Sequence, residues 1–397
     1  MRIALSIFGT RGDVYPLGAL GVALRSRGHQ VLACAPEAFR AWAGAAGLDF
    51  APVGGDVAAL MERSDVGVVK MARALVADLP RHFEPLMEAA RGADLVLGGG
   101  VPVAAPSVAE ALGAAYRFVG YCPLAFPSRH HPPPHLFRLR RWRALTGAMW
   151  RATEQTYGLA GRGPINRFRA ARGLKPIRRV WQHVIGERPL LAADPALASL
   201  PPDLAGRVVQ VGSWSAPAPV SPALSGELEQ FLREGDPPVY VGFGSMPVPD
   251  ARRLLEIAAD AATAADCRLV LSVPAAARPR AEARDGVLVV SEAPHAALFP
   301  RVRAVVHHGG AGTTATAARA GVPQVVVPHM LDQHYWASRV AELGLGPRPI
   351  PRRALSGRRL AEALAFATCP PVGRRAAAFA RELRDDGVQR ALEHLHA

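Results

Sequence analysis

Residues 304–328, AVVHHGGAGTTATAARAGVPQVVVP, form the stretch that decides the fold. A short apolar run ends in two adjacent histidines, a Gly-Gly-Ala-Gly turn follows, and an alanine-rich segment typical of helices leads to a second apolar run. This change from strand to helix and back indicates a βαβ unit, whose two strands are parallel. The sequence therefore predicts an α/β protein that binds its ligands at the carboxyl ends of the strands.

The same alternation occurs in two parts of the chain. Near the N-terminus, RIALSIF (2–8) and QVLACA (30–35) are apolar runs that flank a segment with helically spaced leucines and a closing glycine. Five prolines lie between Leu200 and Pro222, and the alternation then restarts with PPVYVGFGSM (237–246). We therefore expect two doubly wound Rossmann-like domains with parallel sheets, joined by a linker.

These breaks in pattern set the predicted boundaries. We assign residues 1–205 to the N-terminal domain, 206–222 to the linker, 223–372 to the C-terminal domain and 373–397 to a C-terminal helical segment. Residues 123–190 interrupt the alternation with Pro, His, Arg and Trp, and we predict an irregular insertion of loops and helices there.

The composition excludes several classes of protein. No stretch of about 18 apolar residues is free of Gly, Pro or charge, so no membrane span is expected. The apolar N-terminus is interrupted too early for a signal peptide, and four dispersed cysteines without a C-x-x-C pair favour a reducing compartment. We therefore predict a cytoplasmic protein.

The positive charge is concentrated in one segment. The net charge is +14, and residues 129–188 contribute +12 of it, from fourteen basic residues against Glu154 and Glu187. No nucleic-acid recognition motif accompanies this segment, so no nucleic-acid partner is expected. An exposed helical face, a surface for an acidic partner and part of a substrate channel remain open as explanations.

The glycine-rich turn has the chemistry of a diphosphate site. Exposed amides at a helix start favour an anion, and glycines allow a close approach to the backbone. The hydroxyls of Thr313 and Thr314 could cap the helix or donate to phosphate, and His308 would add a donor that becomes cationic when an anion raises its pKa. A structural turn with a threonine cap and buried histidines would produce the same residues.

A second chemistry competes at the same place. Residues 310–315 satisfy G-x-G-x-x-A, and Asp332 follows at roughly the distance of a ribose-binding acid, about 20 residues on. An NAD-dependent oxidoreductase is therefore an alternative. No G-x-x-x-x-G-K-[ST] sequence occurs, which excludes a P-loop nucleotidase.

Several ordered motifs together resemble one family. HHGGAGTT (307–314), APHAALFPRV (293–302), AGVPQVVVPHMLDQHYWASRVAELGLG (320–346), GTRGDVYPL (9–17) and PVYVGFGSM (238–246) are similar to inverting glycosyltransferases of the GT-B fold. The similarity is to the bacterial branch that glycosylates antibiotics, glycopeptides included, and to sterol glucosyltransferases. It implies two Rossmann-like domains facing each other across a cleft.

The resemblance assigns a role to each matching position. The donor diphosphate would be held by His308, Gly310, Gly312, Thr313, Gly244 and Ser245, with Thr10, Arg11 and Gly12 bordering it from the other domain. The backbone of Ala293 would contact the donor base, and Asp332 and Gln333 would bind the sugar hydroxyls; a helix N-cap is the alternative role for Asp332. No metal and no cofactor would be required.

Asp13 matches the general base of this branch, where it would accept the proton of the acceptor hydroxyl. A helix N-cap is its alternative role, because a helix is predicted just after it. We expect two small-molecule partners, a UDP- or dTDP-hexose and a hydrophobic natural product, and a monomer or homodimer. A sugar-nucleotide-binding helper protein that has lost turnover is a third alternative. Such a protein would be expected to lose Asp13 or the His308 loop, and both are present here.

The remaining aromatic and histidine residues have weaker signals. Phe126, Phe137 and Trp142 are predicted to wall a hydrophobic acceptor pocket. The histidines of RHHPPPH (129–135) are assigned to an exposed Pro-rich loop rather than to a metal tract. His307 should face away from His308 and be packed or paired with a backbone group.

Overall fold

Seven parallel strands form the sheet of the first of two units in the computed structural model, which describes residues 1–55, 77–214, 224–246, 248, 250–275 and 284–395. The strands lie in the order β3-β2-β1-β4-β5-β6-β7. They are β1 (Arg2–Phe8), β2 (Gln30–Ala35), β3 (Asp49–Pro52), β4 (Leu95–Gly100), β5 (Ala115–Gly120), β6 (Leu190–Leu191) and β7 (Val209–Gln210). This order reverses between β1 and β4, as in a doubly wound sheet.

The helices of this unit begin with α1, which follows β1 directly. They are α1 (Arg11–Ser26), α2 (Arg40–Ala45), α3 (Pro80–Ala89), α4 (Ala105–Leu112), α5 (Thr146–Ala170) and α6 (Val180–Ile185). Residues 3–8 of β1 are all buried, because a parallel strand between two helical layers is covered on both faces. Burial on both faces explains why RIALSIF is a nearly continuous apolar run rather than an alternating one.

The second unit has a five-stranded parallel sheet in the order β10-β9-β8-β11-β12. Its strands are β8 (Val239–Gly242), β9 (Leu269–Ser272), β10 (Val287–Val290), β11 (Ala304–His307) and β12 (Gln324–Val326). Its helices are α7 (Gly226–Arg233), α8 (Ala251–Ala264), α9 (His295–Leu298), α10 (Ala311–Arg319), α11 (Gln333–Glu342), α12 (Gly357–Ala367) and α13 (Pro370–Ala380). The order of these five strands matches that of the first five strands of the first unit. The predicted pair of doubly wound parallel sheets is therefore confirmed.

The C-terminal helix α14 (Gly387–Leu395) belongs to the first unit. The units comprise Met1–Val220 with Asp385–Ala397, and Ser221–Arg384. Trp214 Nε1 donates to the carbonyl of Gly387 at 3.1 Å, and Ala391 and Leu392 are buried in the core around β1. The structure therefore divides the predicted segment 373–397 between the two units; part of the predicted linker, residues 215–222, lies outside the described residues.

The segment 123–190 contains the 25-residue helix α5, which the sequence analysis missed. Ile165 and Phe168 of this helix are buried in a core with residues of α3 and α4. The missed signal is the spacing of Trp150, Tyr157, Ile165 and Phe168, which recur on one helical face although three glycines and a proline lie among them. The segment is thus an integral part of the first unit.

A buried arginine fixes α5 to α4. The Arg169 side chain is 4% exposed, and its two terminal nitrogens donate to the Glu110 carboxylate at 2.7 and 2.9 Å. It also donates to Ser107 Oγ at 3.2 Å and to the carbonyl of Lys175 at 2.6 Å. One charge of the basic segment is therefore part of the core.

None of the helices that the structure describes is both long enough and apolar enough to cross a membrane. None of the four cysteines, all of which lie in the described part of the chain, forms a disulfide bond.

Replacing Arg169 with methionine should lower the free energy of unfolding by about 2–4 kcal/mol, because Ser107 and the Lys175 carbonyl lose a buried donor. Urea unfolding measures the change. The matched control is Glu84→Gln, which alters the bidentate pair of Glu84 and Arg172, where the acid is 69% exposed; we expect a change of about 0.5 kcal/mol or less there. Equal losses in both variants would contradict a structural role for Arg169.

Candidate active site

The site in the second unit is built on the ends of two neighbouring strands, β8 and β11. Tyr240 pairs with Val305 and Val241 with Val306, so the loops after these strands leave the sheet side by side. Gly244 has a φ of +58°, and a Cβ placed on it would lie 3.1 Å from His308 Cε1. The fold therefore brings together Gly244 and His308, which are far apart in sequence and were both predicted to hold the donor diphosphate.

Helix α10 begins at Ala311, with Gly310 at the N-cap. Gly312 and Thr313 are therefore in its first turn, where backbone N–H groups have no partner within the helix. A Cβ on Gly312 would meet no atom within 4 Å. The chain itself leaves this position open, and the partial positive charge of the helix start faces that opening.

Two threonine hydroxyls of this helix are used internally. Thr314 Oγ1 donates to the carbonyl of Gly310 at 2.9 Å, and Thr316 Oγ1 donates to the carbonyl of Gly312 at 2.8 Å. Thr314 is fully buried. The expectation that Thr314 caps the helix or donates to phosphate is wrong, because its hydroxyl proton bonds to the preceding turn.

The two adjacent histidines have different environments. His307 is fully buried, its Nε2 lies 2.9 Å from Gln324 Oε1, and its Nδ1 accepts from the backbone N–H of Gly309 at 3.1 Å. This confirms the structural role predicted for His307. The Nδ1 of His308 is buried and has no hydrogen-bond partner within the described part of the chain. An unsatisfied buried nitrogen beside an open helix start is a feature that a ligand would complete.

Four imidazoles, one fully buried and three partly buried, lie in this region, and burial lowers the pKa of each. The pKa of His308 is lowered to about 3, by burial first and then by the neighbouring His307, His329 and His295. The pKa values of His295, His307 and His329 are each lowered to about 4, with burial as the main cause. His308 is therefore neutral in the free protein near pH 7.

The loop between β12 and α11 holds Asp332 and Gln333. Asp332 is at the N-cap position of α11, but its side chain caps no helix amide; its Oδ2 accepts from Trp336 Nε1 at 3.1 Å. Burial raises the pKa of Asp332 to about 6. Asp332 is thus held by an indole rather than by the helix start, contrary to its alternative role as a capping side chain.

Gln333 shapes the same loop. Its Oε1 accepts from the backbone N–H groups of His329 and Met330 at 2.8 and 3.0 Å, and its Nε2 lies 3.3 Å from Met246 Sδ. The residue is buried. Its amide oxygen therefore closes the loop, and sugar binding by Gln333 stays a prediction.

The segment around Ala293 is anchored by its neighbour His295. The His295 ring stacks on Phe299 with ring centres 4.4 Å apart, and its Nε2 lies 3.1 Å from the Tyr240 hydroxyl. Ala293 is partly buried against the core of the unit. This position keeps the backbone of Ala293 in a fixed place, and its contact with a donor base stays a prediction.

Asp13 follows the end of β1, the strand of the first unit that has the same place in its sheet as β8 has in the second. It is the third residue of α1, so the helix starts before it, and its Oδ2 accepts from the N-cap backbone N–H of Thr10 at 2.8 Å. Asp13 is therefore no N-cap residue, although its carboxylate does stabilise the helix start. Arg11 and Gly12 form the exposed beginning of the same turn.

Glycines make room for the Asp13 carboxyl group. Phe8 at the end of β1 pairs with Gly100 at the end of β4, and a Cβ on Gly100 would lie 3.2 Å from Asp13 Cγ. The Tyr121 hydroxyl donates to the backbone carbonyl of Asp13 at 3.0 Å. Burial, and then the charge of Asp13, raise the pKa of Tyr121 well above its usual value, so this phenol stays protonated.

The predicted acceptor residues are placed differently from expectation. Phe126 is 1% exposed and packs edge-on against Phe118 with ring centres 6.0 Å apart, and Phe137 is 6% exposed. Both are core residues in this structure, so the expectation that they wall an open pocket is corrected. Trp142, in contrast, is 50% exposed.

The Pro-rich loop is packed in its middle and exposed at its ends. Pro132, Pro133 and His131 are buried, and Trp150 Nε1 donates to the carbonyl of His131 at 2.9 Å. Asp203 accepts from Ser128 Oγ at 2.8 Å and from the Arg129 N–H at 2.9 Å. The expectation of an exposed loop is therefore wrong for His131, whereas His130 and His135 are exposed as predicted. Among the residues the structure describes, no group of three or more His, Cys, Asp or Glu is arranged to hold a metal ion.

The fold defines the class of the protein. It is similar over 96% of its length to the structure of the glycosyltransferase VinC in complex with dTDP, with a TM-score of 0.66 and 24% identity, and covers 95% of that chain. Two doubly wound parallel-sheet units with glycine-rich loops at their strand ends are the GT-B fold of glycosyltransferases.

Sequence comparisons identify the family. Residues 3–114 match the glycosyltransferase family 28 N-terminal domain, and residues 256–390 match the erythromycin biosynthesis protein CIII-like C-terminal domain. The vancomycin aglycone glucosyltransferase of Amycolatopsis orientalis is 39% identical over 98% of this chain and 95% of its own. A sterol 3-beta-glucosyltransferase of Arabidopsis thaliana is 32% identical over 100% of this chain and 68% of its own. The chain belongs to the GT-B glycosyltransferase family that includes these antibiotic-modifying and sterol enzymes.

Membership of this family confirms the resemblance drawn from the motifs. It does not favour the oxidoreductase or the protein without turnover as alternatives. The G-x-G-x-x-A match at residues 310–315 is thus a feature of the α10 start in this fold.

The buried histidines should make folding sensitive to acid. Each has a folded-state pKa below its usual value of 6.5, so its contribution to stability is complete above that value and is lost as the pH falls toward 4. Asp332 acts in the opposite sense, because its raised pKa favours the folded state below pH 6. With four histidines against one acid, the free energy of unfolding should fall by more than about 2 kcal/mol between pH 7 and 4.5.

Urea unfolding across this pH range, with His295→Phe as the variant, measures the effect. Phenylalanine can keep the stacking on Phe299, so the pH dependence should weaken. His130→Phe is the control, because its side chain is 42% exposed. Parallel pH curves for wild type and His295→Phe would refute the assignment.

Proposed function

We propose that the protein transfers the hexose of a UDP- or dTDP-hexose to a hydroxyl group of a hydrophobic natural product, such as an antibiotic aglycone. The configuration at the anomeric carbon is inverted in this transfer. The glucosyltransferase relative acts on vancomycin aglycone, as its name states, and the structural neighbour VinC was crystallised with dTDP. The observation that carries the proposal is the open start of α10 beside the unpartnered Nδ1 of His308.

The second unit binds the donor in this proposal. The first-turn amides of α10, including those of Gly312 and Thr313, and the imidazole of His308 surround the diphosphate, with Gly244 and Ser245 on the neighbouring loop. Negative charge grows on the diphosphate as it leaves, and helix amides that are already oriented stabilise that charge. No metal and no cofactor are required for this step. Proximity to the diphosphate raises the pKa of His308, so that it donates a hydrogen bond and can accept a proton on binding.

The sugar-binding residues lie on the loop before α11. The carboxylate of Asp332, held by Trp336, accepts hydrogen bonds from sugar hydroxyls in this proposal, and Gln333 keeps the loop closed around it. Buried hydrogen-bonding groups of this kind distinguish between hydroxyl arrangements, because a mismatch leaves one of them unpaired.

The first unit supplies the base. The acceptor oxygen attacks the anomeric carbon, its proton passes to the Asp13 carboxylate, and the bond from that carbon to the diphosphate oxygen breaks with its electron pair on the leaving group. Thr10 fixes the carboxylate through its N–H, which orients the other oxygen and holds the group near the strand end. The four cysteines form no disulfide bond in the described structure, which supports action in the cytoplasm, where thiols stay reduced.

Replacing Gly312 with alanine tests the donor site directly. The new methyl group meets no protein atom, and alanine favours helix, so the melting temperature should stay equal or rise slightly. Affinity for dTDP and UDP should nevertheless fall at least about tenfold, because the methyl group blocks close approach to the amides. Isothermal titration calorimetry measures the affinity.

Gly373→Ala is the matched control, since Gly373 also lies in a helix, α13, and has open space at the position of an added Cβ. It should bind nucleotide like the wild type. Unchanged nucleotide affinity in Gly312→Ala would refute binding at the α10 start.

Replacing Asp13 with asparagine tests the base. The amide oxygen of asparagine can still accept from the Thr10 N–H, so stability should be retained, whereas kcat should fall by about 10²–10⁴ because no proton acceptor remains. Asp13→Ala should lose the same activity and in addition about 1 kcal/mol of stability.

Donor affinity should be unchanged in both variants, as measured by calorimetry. Wild-type turnover in Asp13→Asn would exclude Asp13 as the base and leave it a purely structural role at the helix start.

A further inference from the structure

Four large apolar side chains are exposed within a short part of the first unit. Leu139, Trp142, Leu145 and Leu159 are 39%, 50%, 48% and 90% exposed. They make up half of the large hydrophobic residues exposed in the described chain. We call the area formed by residues 139–159 the 139–159 surface. Clustered exposed apolar groups mark an interaction site more often than scattered ones do.

The backbone points these side chains in one direction. Trp142 N–H donates to the Leu139 carbonyl, and Leu145 N–H to the Trp142 carbonyl, both at 2.9 Å. Residues joined by such three-residue turns project from the same side of the chain. Leu145 precedes α5, and Leu159 follows after fourteen residues, which is nearly four helical turns and about 21 Å along the axis. The surface is therefore an extended strip in which these apolar side chains alternate with exposed polar ones such as Gln155 and Thr156.

Arginines surround this strip. Arg140, Arg141, Arg151 and Arg162 are exposed, and the Arg141 guanidinium lies 5.8 Å from the centre of the Trp142 ring. The only acids between residues 129 and 188 are Glu154 and Glu187, and Glu154 accepts from the backbone N–H of Trp181 at 3.0 Å. Glu154 is thus directed to α6, and the strip itself is strongly basic.

The charge selects the kind of partner. A second copy of the chain would bring the same arginines together, at a chain net charge of +14. An anionic partner would be complementary, and leucine and tryptophan inside a ring of arginines are the composition of segments that lie in the headgroup region of a bilayer. We propose that the 139–159 surface docks this protein onto the surface of an anionic lipid membrane, without crossing it. This proposal does not rest on the donor site or the base proposed above, but it gives Trp142, which the sequence assigned to the acceptor pocket, a role at the membrane surface instead.

Co-sedimentation of the full chain with vesicles tests the proposal. The protein should bind phosphatidylcholine vesicles that contain phosphatidylglycerol, should release at high salt, and should bind pure phosphatidylcholine weakly. The double variant Trp142→Glu, Leu145→Glu should lower the bound fraction at least about tenfold, because it removes two apolar anchors and adds negative charge. Arg140→Glu with Arg141→Glu should lower it by a similar factor and reduce the salt dependence.

Phe366→Glu is the matched control, since Phe366 is also 50% exposed but lies in the second unit. It should bind vesicles like the wild type, and circular dichroism should show all variants folded. Absence of binding to anionic vesicles at low salt would overturn the proposal, as would equal losses in the double variant and the control. Binding to polyglutamate without binding to vesicles would also overturn it and would identify an acidic polypeptide as the partner.

Discussion

The pairing of parallel strands at the point where each sheet reverses its order is the constraint on which the rest of this protein depends. In the first unit β1 pairs with β4, and in the second β8 pairs with β11. At such a point the loops after the two strands separate to opposite sides of the sheet and leave space between them. A shift of register by one residue would turn His308 toward the core and His307 toward that space. The chemistry of the site is thus set by strand pairing.

In both units a helix begins beside this space, and glycines stand where larger side chains would obstruct it. In the first unit, Gly9 and Gly100 leave room for the Asp13 carboxylate, since a Cβ on Gly9 would overlap Asp13 Oδ2. In the second, Gly244 leaves room for the His308 ring, and Gly312 leaves the first turn of α10 open. The two results differ in electrostatics: the first unit presents a carboxylate at its helix start, whereas the second presents amides and an uncharged imidazole. A proton acceptor and an anion site are what the proposed transfer needs.

The basic segment divides into charges that stabilise the fold and charges that face solvent. Arg169 is buried against Glu110, and Arg172 forms a bidentate pair with Glu84 and lies over the Phe168 ring. These arginines hold α5 on the first unit. The exposed Arg140 and Arg141 lie over the rings of Phe137 and Trp142, and the arrangement of such arginines around apolar side chains is the basis of the membrane proposal. Charge counted along the sequence could not separate these two groups, because burial depends on how α5 packs.

Outside residues 123–190, the sequence by itself determined the alternation of strands and helices, the parallel sheets and the glycine-rich strand ends, since apolar periodicity and glycine placement are local properties of the chain. It also separated His307 from His308, because neighbours on a strand face opposite sides. Only the tertiary structure decided that Thr314 bonds internally, that Asp332 is held by Trp336, that Phe126 is buried and that residues 385–397 belong to the first unit. Each of these depends on which groups meet across the fold, and spacing along the chain carries no information about such contacts.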